Sequence, residues 1–299
     1  MSRVNLRSPI TIDVAQRFRR QPKWNASPLL TVLALSTSAS RLSVALGAVY
    51  QGRMTLLAAE DQHQQGGSAE TIFETIKRVR EQAATIHAGE LSAIAFDSGP
   101  GAFSGVRVGC GVAQGLGFAW NLPVVPVCSL LAIGAFEADE SLAAPLMSLY
   151  LVAIDARMNE VYFAAYWSRS RPGAQWLIEP SVASAVQARA QFETLIANLR
   201  KTDAKNNAKN EPVFSINCLG NGFSDLGFGD SDFIASNGNG LKSCDARGVL
   251  WVAAQALHVN DSVEWMTRFN AANAAPLYVR NKVALDKVEQ EHLRRQSVA

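Results

Sequence analysis

Short apolar runs alternate along the chain with stretches in which apolar residues return every three or four positions. Thr31 to Ser36 (TVLALS) and Leu42 to Leu46 (LSVAL) are compact runs on either side of the polar Thr37-Ser38-Ala39-Ser40, and they predict two strands joined by a tight turn. Met54 to Ala59 predicts a third, antiparallel strand. The period then changes. Ile72, Ile76, Val79, Ala83 and Ile86 are spaced by four and three, charged residues fill the other faces, and Ser68 is placed as an N-cap. This predicts a helix with a narrow apolar seam, a stripe that suits another helix better than a broad sheet. Leu91 to Phe96 predicts a buried strand, and Asp97-Ser98-Gly99-Pro100-Gly101 turns the chain into a helix from about Phe103 to Trp120. A strand at Pro123 to Val127 and a helix from Ser129 to about Phe136 follow.

The order β, β, β, α, β, α, β, α predicts a mixed sheet with helices laid against it. After Pro145 a similar opening returns, with strands expected at Leu149 to Ile154, Val161 to Tyr166 and Gln175 to Ile178, a helix at Gln187 to Arg200 and a strand at Val213 to Leu219. The repetition points to an internal duplication. Asp245 is placed to cap a last helix through Leu257, and Pro276 to Arg280 closes the ordered fold. The expected organisation is a basic extension over 1–28, a first lobe over 29–145, a second lobe over 146–285 containing a Gly/Asn-rich connector over 201–246, and a charged tail over 286–299.

Composition narrows the class. In 299 residues, 48% are hydrophobic and 18% charged, enough apolar material for a core of two lobes. The net charge is only +2, unlike a chain that grips nucleic acid by itself. That small charge is unevenly spread. Arg3, Arg7, Arg17, Arg19, Arg20 and Lys23 against Asp13 give the first 28 residues +5, which leaves −3 on the rest. The extension superficially resembles a transit peptide but lacks the apolar core of a secretory signal, and it reads as a disordered basic tail. No apolar run approaches a membrane span, and four dispersed cysteines without a C-x-x-C pair fit a reducing compartment, so a soluble, cytoplasmic protein is expected.

Seven of the 21 glycines fall between Gly99 and Gly117. A phosphate-cradling loop would explain them, since glycine lets backbone N–H groups approach an anion. The detailed patterns fail, however: Val106-Arg107 follows Gly105 where a Walker A loop needs Lys and Ser or Thr, and Ala102 stands where a nucleophile elbow at Ser104 needs glycine. Gly101, Gly105, Gly109, Ala113 and Gly117 instead recur every four residues, giving a smooth helical face suited to close packing. His63, His87, His258 and His292 are isolated, so no metal site is expected. Asp155, Arg157 and Glu160, just after a strand, are either a site or a turn in which Asp155 caps backbone N–H groups and Glu160 pairs with an Arg.

Leu33 to Leu46, Ala95 to Leu116 and Ala153-Ile-Asp-Ala-Arg-Met-Asn-Glu-Val-Tyr162, with Pro276-Leu-Tyr-Val-Arg-Asn281, resemble the TsaB (YeaZ) family of bacterial proteins that take part in making threonylcarbamoyladenosine at position 37 of tRNA. The resemblance implies an α/β, actin-like (ASKHA) fold of two duplicated ribonuclease-H-like lobes. It also implies a non-catalytic subunit that pairs with a TsaD-like transferase through first-lobe helices. The matching interface positions are Ile72, Ile76, Val79 and Ala83, and Gly105, Gly109 and Ala113. By the same resemblance a TsaE-like ATPase joins the assembled complex, tRNA is contacted indirectly, and ATP or ADP and metal belong to the partner, with no cofactor in this chain. A homodimer through the same helices is the other state expected when the chain is alone. Where the family usually has Asp in its first strand this chain has Ser36, which weighs against the alternative of a sugar-kinase-like ATPase, and the lack of paired histidines weighs against that of an M22-type peptidase homologue.

Overall fold

The structure is a computed structural model, and it describes residues 29–279 apart from position 40 and the segments 51–52, 64–68, 85–90, 141–146, 169–174, 207–213, 225–242 and 259–261. The basic extension, the expected cap Ser68, most of the Gly/Asn-rich connector and the charged tail lie outside the described residues.

Strands β1 (Leu30–Ser36), β2 (Arg41–Tyr50), β3 (Arg53–His63), β4 (Ala93–Gly99) and β5 (Val124–Cys128) form a sheet in the order β3-β2-β1-β4-β5. The β1–β2 and β2–β3 pairs are antiparallel, and β1–β4 and β4–β5 are parallel. Strands β6 (Met147–Arg157), β7 (Glu160–Ser168), β8 (Gln175–Ser184) and β9 (Phe214–Leu219) form a second sheet in the order β8-β7-β6-β9, again antiparallel twice and then parallel. The second sheet therefore repeats the first four positions of the first, which bears the duplication out at the level of topology. Strands β2, β3 and β8 run several residues beyond their apolar kernels, because backbone pairing continues through polar residues such as Glu60, Asp61 and Gln62 at the sheet edge.

Period-2 alternation in the central strands separates the cores. Leu33 and Leu35 face outward onto helices α1 (Ala69–Ala84) and α2 (Phe103–Trp120). Val32 and Ala34 face inward onto α3 (Ser129–Glu140) and α5 (Ala246–His258), which fill the space between the two sheets together with Tyr150, Val152 and Tyr166 of the second. On the far side, Phe163, Leu149 and Leu151 pack on Phe192 and Ile196 of α4 (Ala185–Asn206). The result is five layers: helices, sheet, helices, sheet, helix. Each fully buried Leu, Ile or Val in them contributes about 1.5–3 kcal/mol. Close approach at the centre depends on small residues; a Cβ on Gly248 of α5 would run into the backbone of Ala132 in α3.

The expected boundary near residue 145 divides the chain in sequence but not in space. After the second sheet the chain returns to the first: α5 lies on β1 and β2, a short helix α6 (Ser262–Arg268) follows, Val124 N–H donates to Phe269 O at 2.7 Å, and Leu277 N–H donates to Ser98 O at 2.7 Å. The apolar inner face of the first sheet needs a cover, and α5 supplies it. No described helix is long and apolar enough to cross a membrane.

Candidate functional site

The turn after β1 and the loop after β4 meet over the first turn of α2. At its floor lies Asp97, fully buried in β4. Its carboxylate accepts from Ser36 Oγ at 2.8 Å, from Thr37 N at 3.1 Å and from Ser38 N at 3.0 Å. Burial is the largest influence on this group and lifts its pKa above the ordinary carboxylate value, against the pull of the Ser36, Thr37 and Ser38 donors. Ser36 Oγ has the Cys244 carbonyl at 3.3 Å as a second acceptor, and Ser38 Oγ lies 3.4 Å from Ser129 Oγ at the start of α3. The turn thus ties β1, β4, α3 and the approach to α5 together. Chemically it is closed: the two backbone N–H groups that would face an anion above the turn point instead at Asp97.

The glycine run explains how the turn sits so low. Thr37 Oγ1 donates to Gly105 O at 2.8 Å and Ala102 N donates to Ser38 O at 2.8 Å. A Cβ on Gly101 would strike Ser38, and one on Gly105 or Gly109 would strike Thr37. Gly117 is closed in the same way by Val124 and Ala271. The close packing expected of this face is present, but its partner is the chain's own turn, so Gly105, Gly109 and Ala113 do not face outward. The same correction holds for the seam. Ile72, Ile76, Val79 and Ala83 are at most 4% exposed and pack with Leu33, Val44 and Leu46 on the first lobe's own sheet, contrary to the expectation of a helical partner. Four small or branched side chains fit the twisted surface of β2 and β3 as well as they fit a helix.

The opposite faces are open. Along α2 an exposed stripe runs through Phe103, Arg107, Gly111, Gly115 and Phe118, again spaced by about four, and a Cβ on Gly111 or Gly115 would meet nothing within 4 Å among the described residues. Glycine inside a helix costs about 1 kcal/mol relative to alanine, and nothing among the described residues requires it at these two positions. Phe118 is 65% exposed and Phe73 of α1 is 47% exposed. The two helices cover the same side of the first sheet and are linked by the Arg80 guanidinium, 5.2 Å from the centre of the Trp120 ring. The sequence held a trace of this second stripe, since Gly111 and Gly115 stand outside the Gly105 and Gly109 series, but spacing alone does not say which stripe faces in.

Asp155, Arg157 and Glu160 are brought together as a hairpin between β6 and β7. Arg157, Met158 and Asn159 have φ of 62°, 58° and 59°, and Asp155 Oδ1 accepts from Arg157 N at 2.7 Å. Asp155 N donates to Asn221 Oδ1 at 3.1 Å, fixing the tip to the chain after β9. This is the capping role. Among the described residues no three His, Cys, Asp or Glu side chains converge as a metal site. Asp245, fully buried, caps α5 as expected by accepting from Arg247 N at 2.8 Å; the pattern of the chain does not show the latch this makes, in which Arg247 Nη2 reaches Asp61 of β3 at 2.9 Å.

The repeated strand order and the helices between and outside the sheets define a duplicated ribonuclease-H-like protein of actin-like architecture. Comparison with known proteins narrows this class. Residues 59–216, more than half of the chain, match the family model "TsaD: tRNA N6-adenosine threonylcarbamoyltransferase". The chain is similar to the tRNA threonylcarbamoyladenosine biosynthesis protein TsaB of Haemophilus influenzae, 40% identical over 137 residues that make up 45% of this chain and 53% of that protein. It is also similar to TsaB of Escherichia coli, 42% identical over 26% of this chain and 32% of that protein. The matched part is thus about half the length of the first relative and a third of the second. YeaZ from Pseudomonas aeruginosa superposes with a TM-score of 0.57 at 25% identity, over 83% of this chain and 99% of that one. The chain belongs to the TsaB (YeaZ) family.

Proposed function

We propose that this chain is the non-catalytic subunit that pairs with a TsaD-like enzyme and holds it competent to transfer threonylcarbamoyl to A37 of tRNA. The observation that carries the reading is the outward face of α1 and α2, where Phe73 and Phe118 stand exposed beside the open positions Gly111 and Gly115. Exposed aromatic residues around a surface without side chains suit the close approach of another helix. The interface lies on this face, on the side of the helices opposite the buried residues matched by resemblance. The closed turn supports the non-catalytic role, because Asp97 occupies the N–H groups of Thr37 and Ser38. ATP or ADP, metal and most of the tRNA contact then belong to the partner, with a TsaE-like ATPase completing the assembly.

Co-expression with the TsaD-like protein tests the reading. A stable heterodimer is expected, and Gly111→Leu should prevent it while the chain stays folded. Deletion of the gene should remove threonylcarbamoyladenosine from digested tRNA measured by mass spectrometry. Unchanged nucleoside levels would overturn the proposal, and a chain that forms only homodimers in the presence of the enzyme would overturn the pairing.

A further inference from the structure

At the first turns of α2 an arginine is held by two aromatic rings and one hydrogen bond to its Nε. The Arg107 guanidinium lies 3.7 Å from the centre of the Phe103 ring and 5.7 Å from that of Tyr278, and its Nε donates to Tyr278 Oη at 3.0 Å. Tyr278 is held in turn, because Leu277 N donates to Ser98 O at 2.7 Å and Gln114 Nε2 donates to Ala274 O at 2.9 Å. Aromatic packing and one hydrogen bond fix the plane of the guanidinium but leave both Nη groups without a partner among the described residues. Arg107 is the sole charged residue of α2, and it stands near the helix N-terminus, where a cation is opposed by the helix dipole. Ala102, the N-cap, makes no side-chain cap hydrogen bond. Phe103, at 43% exposure, and Tyr278, at 51%, flank the charge with aromatic surface.

We infer that Arg107, clamped by Phe103 and Tyr278, is a preformed receptor for one carboxylate on the partner protein, seated at the end of the open Gly111–Gly115 face. This rests on the pairing reading above and names the contact that sets its specificity. An arginine whose plane is already fixed loses little freedom when it makes a two-pronged bond to a carboxylate, and arginine and tyrosine are enriched among the residues that anchor protein interfaces. An RNA backbone is the weaker fit. It carries a charge at every nucleotide and is tracked by several cations, whereas this helix offers one, beside a surface open to close packing.

The test measures the affinity of the full chain for the TsaD-like enzyme by titration calorimetry at low and high salt. Arg107 is exposed, so its variants should melt like the wild type. Arg107→Gln should weaken pairing by about thirty-fold or more, Arg107→Lys should recover only a small part because the planar fork is lost, and the salt dependence should fall in both. Tyr278→Phe, which keeps the ring and removes the hydroxyl, should give an intermediate loss. If Arg107→Gln pairs as well as the wild type while Gly111→Leu does not pair, the receptor is overturned and the pairing stands. If the wild type does not bind the enzyme, both fall. Loss of tRNA affinity in the assembled complex without loss of pairing would assign Arg107 to phosphate and overturn the carboxylate.

Discussion

Ser36 and Asp97 share a fully buried hydrogen bond of 2.8 Å, which joins the end of β1 to the end of β4 beneath the turn between β1 and β2. Asp97→Ala would leave that hydroxyl and the N–H groups of Thr37 and Ser38 without their acceptor. A loss of about 2–4 kcal/mol is expected, read as a shift of the urea midpoint. Ser36→Ala, which removes one donor and no acceptor, should cost about 1 kcal/mol.

The same carboxylate gives a pH signature. Its pKa is lifted above the ordinary 3.8, chiefly by burial. A carboxyl that binds its proton more tightly in the folded chain than in the unfolded one adds stability below its ordinary range and loses it as pH rises through the lifted value. The wild type should therefore lose stability relative to Asp97→Asn as pH rises above the ordinary value of 3.8. A difference that grows the other way would show that the three donors outweigh burial.

Two glycines of one helix should respond in opposite senses. Gly105→Ala drives a methyl into the Thr37 backbone and should lower the melting temperature sharply, whereas Gly111→Ala meets open space. The second change should raise the stability of the isolated chain by about 0.5–1 kcal/mol. Equal responses in a thermal melt would contradict the placement of the two faces.

Arg247 is bonded to Asp245, which is fully buried, and to the more exposed Asp61. Burial opposes the charge on Arg247, while its two carboxylate partners raise its pKa. Arg247→Met should destabilise by about 3 kcal/mol because it leaves the Asp245 carboxylate without its cation. Asp61→Asn should cost under about 1 kcal/mol, since that pair is partly open to water and screened. Denaturant titration of both variants in low and high salt separates the two contributions.

All four thiols are pushed up by burial, Cys128 to about 11 and Cys218 to about 12, with Cys244 well above its ordinary value and Cys110 also raised. A thiol reacts as its thiolate. The native chain should be almost inert to Ellman's reagent at neutral pH and release four equivalents once unfolded. Rapid reaction of any one of them in the native state would show that its surroundings open.

The interior strands are plain in the sequence because both faces of β1 and β4 are covered, so Val32 to Leu35 and Ala93 to Phe96 read as unbroken apolar runs. Edge strands were read short, because β3 carries Glu60, Asp61 and Gln62 in register with β2 and nothing in their chemistry marks them as paired. Asp97 looked like the first residue of a turn. Its role became visible only when β1, sixty residues earlier in the chain, was placed beside it.

Periodicity, composition and motif determined that this protein would be two related α/β lobes with a glycine-rich helix at the first. That much follows locally, since strand and helix periods and the need to bury each apolar face leave few arrangements. Which face of each helix would be buried was decided by tertiary packing. Gly105 and Gly111 are the same residue on the same helix, six positions apart, and only the descent of Thr37 onto one of them distinguishes the closed side from the open one. A helical period fixes the spacing of a stripe, but its direction is set by the sheet and turn it meets.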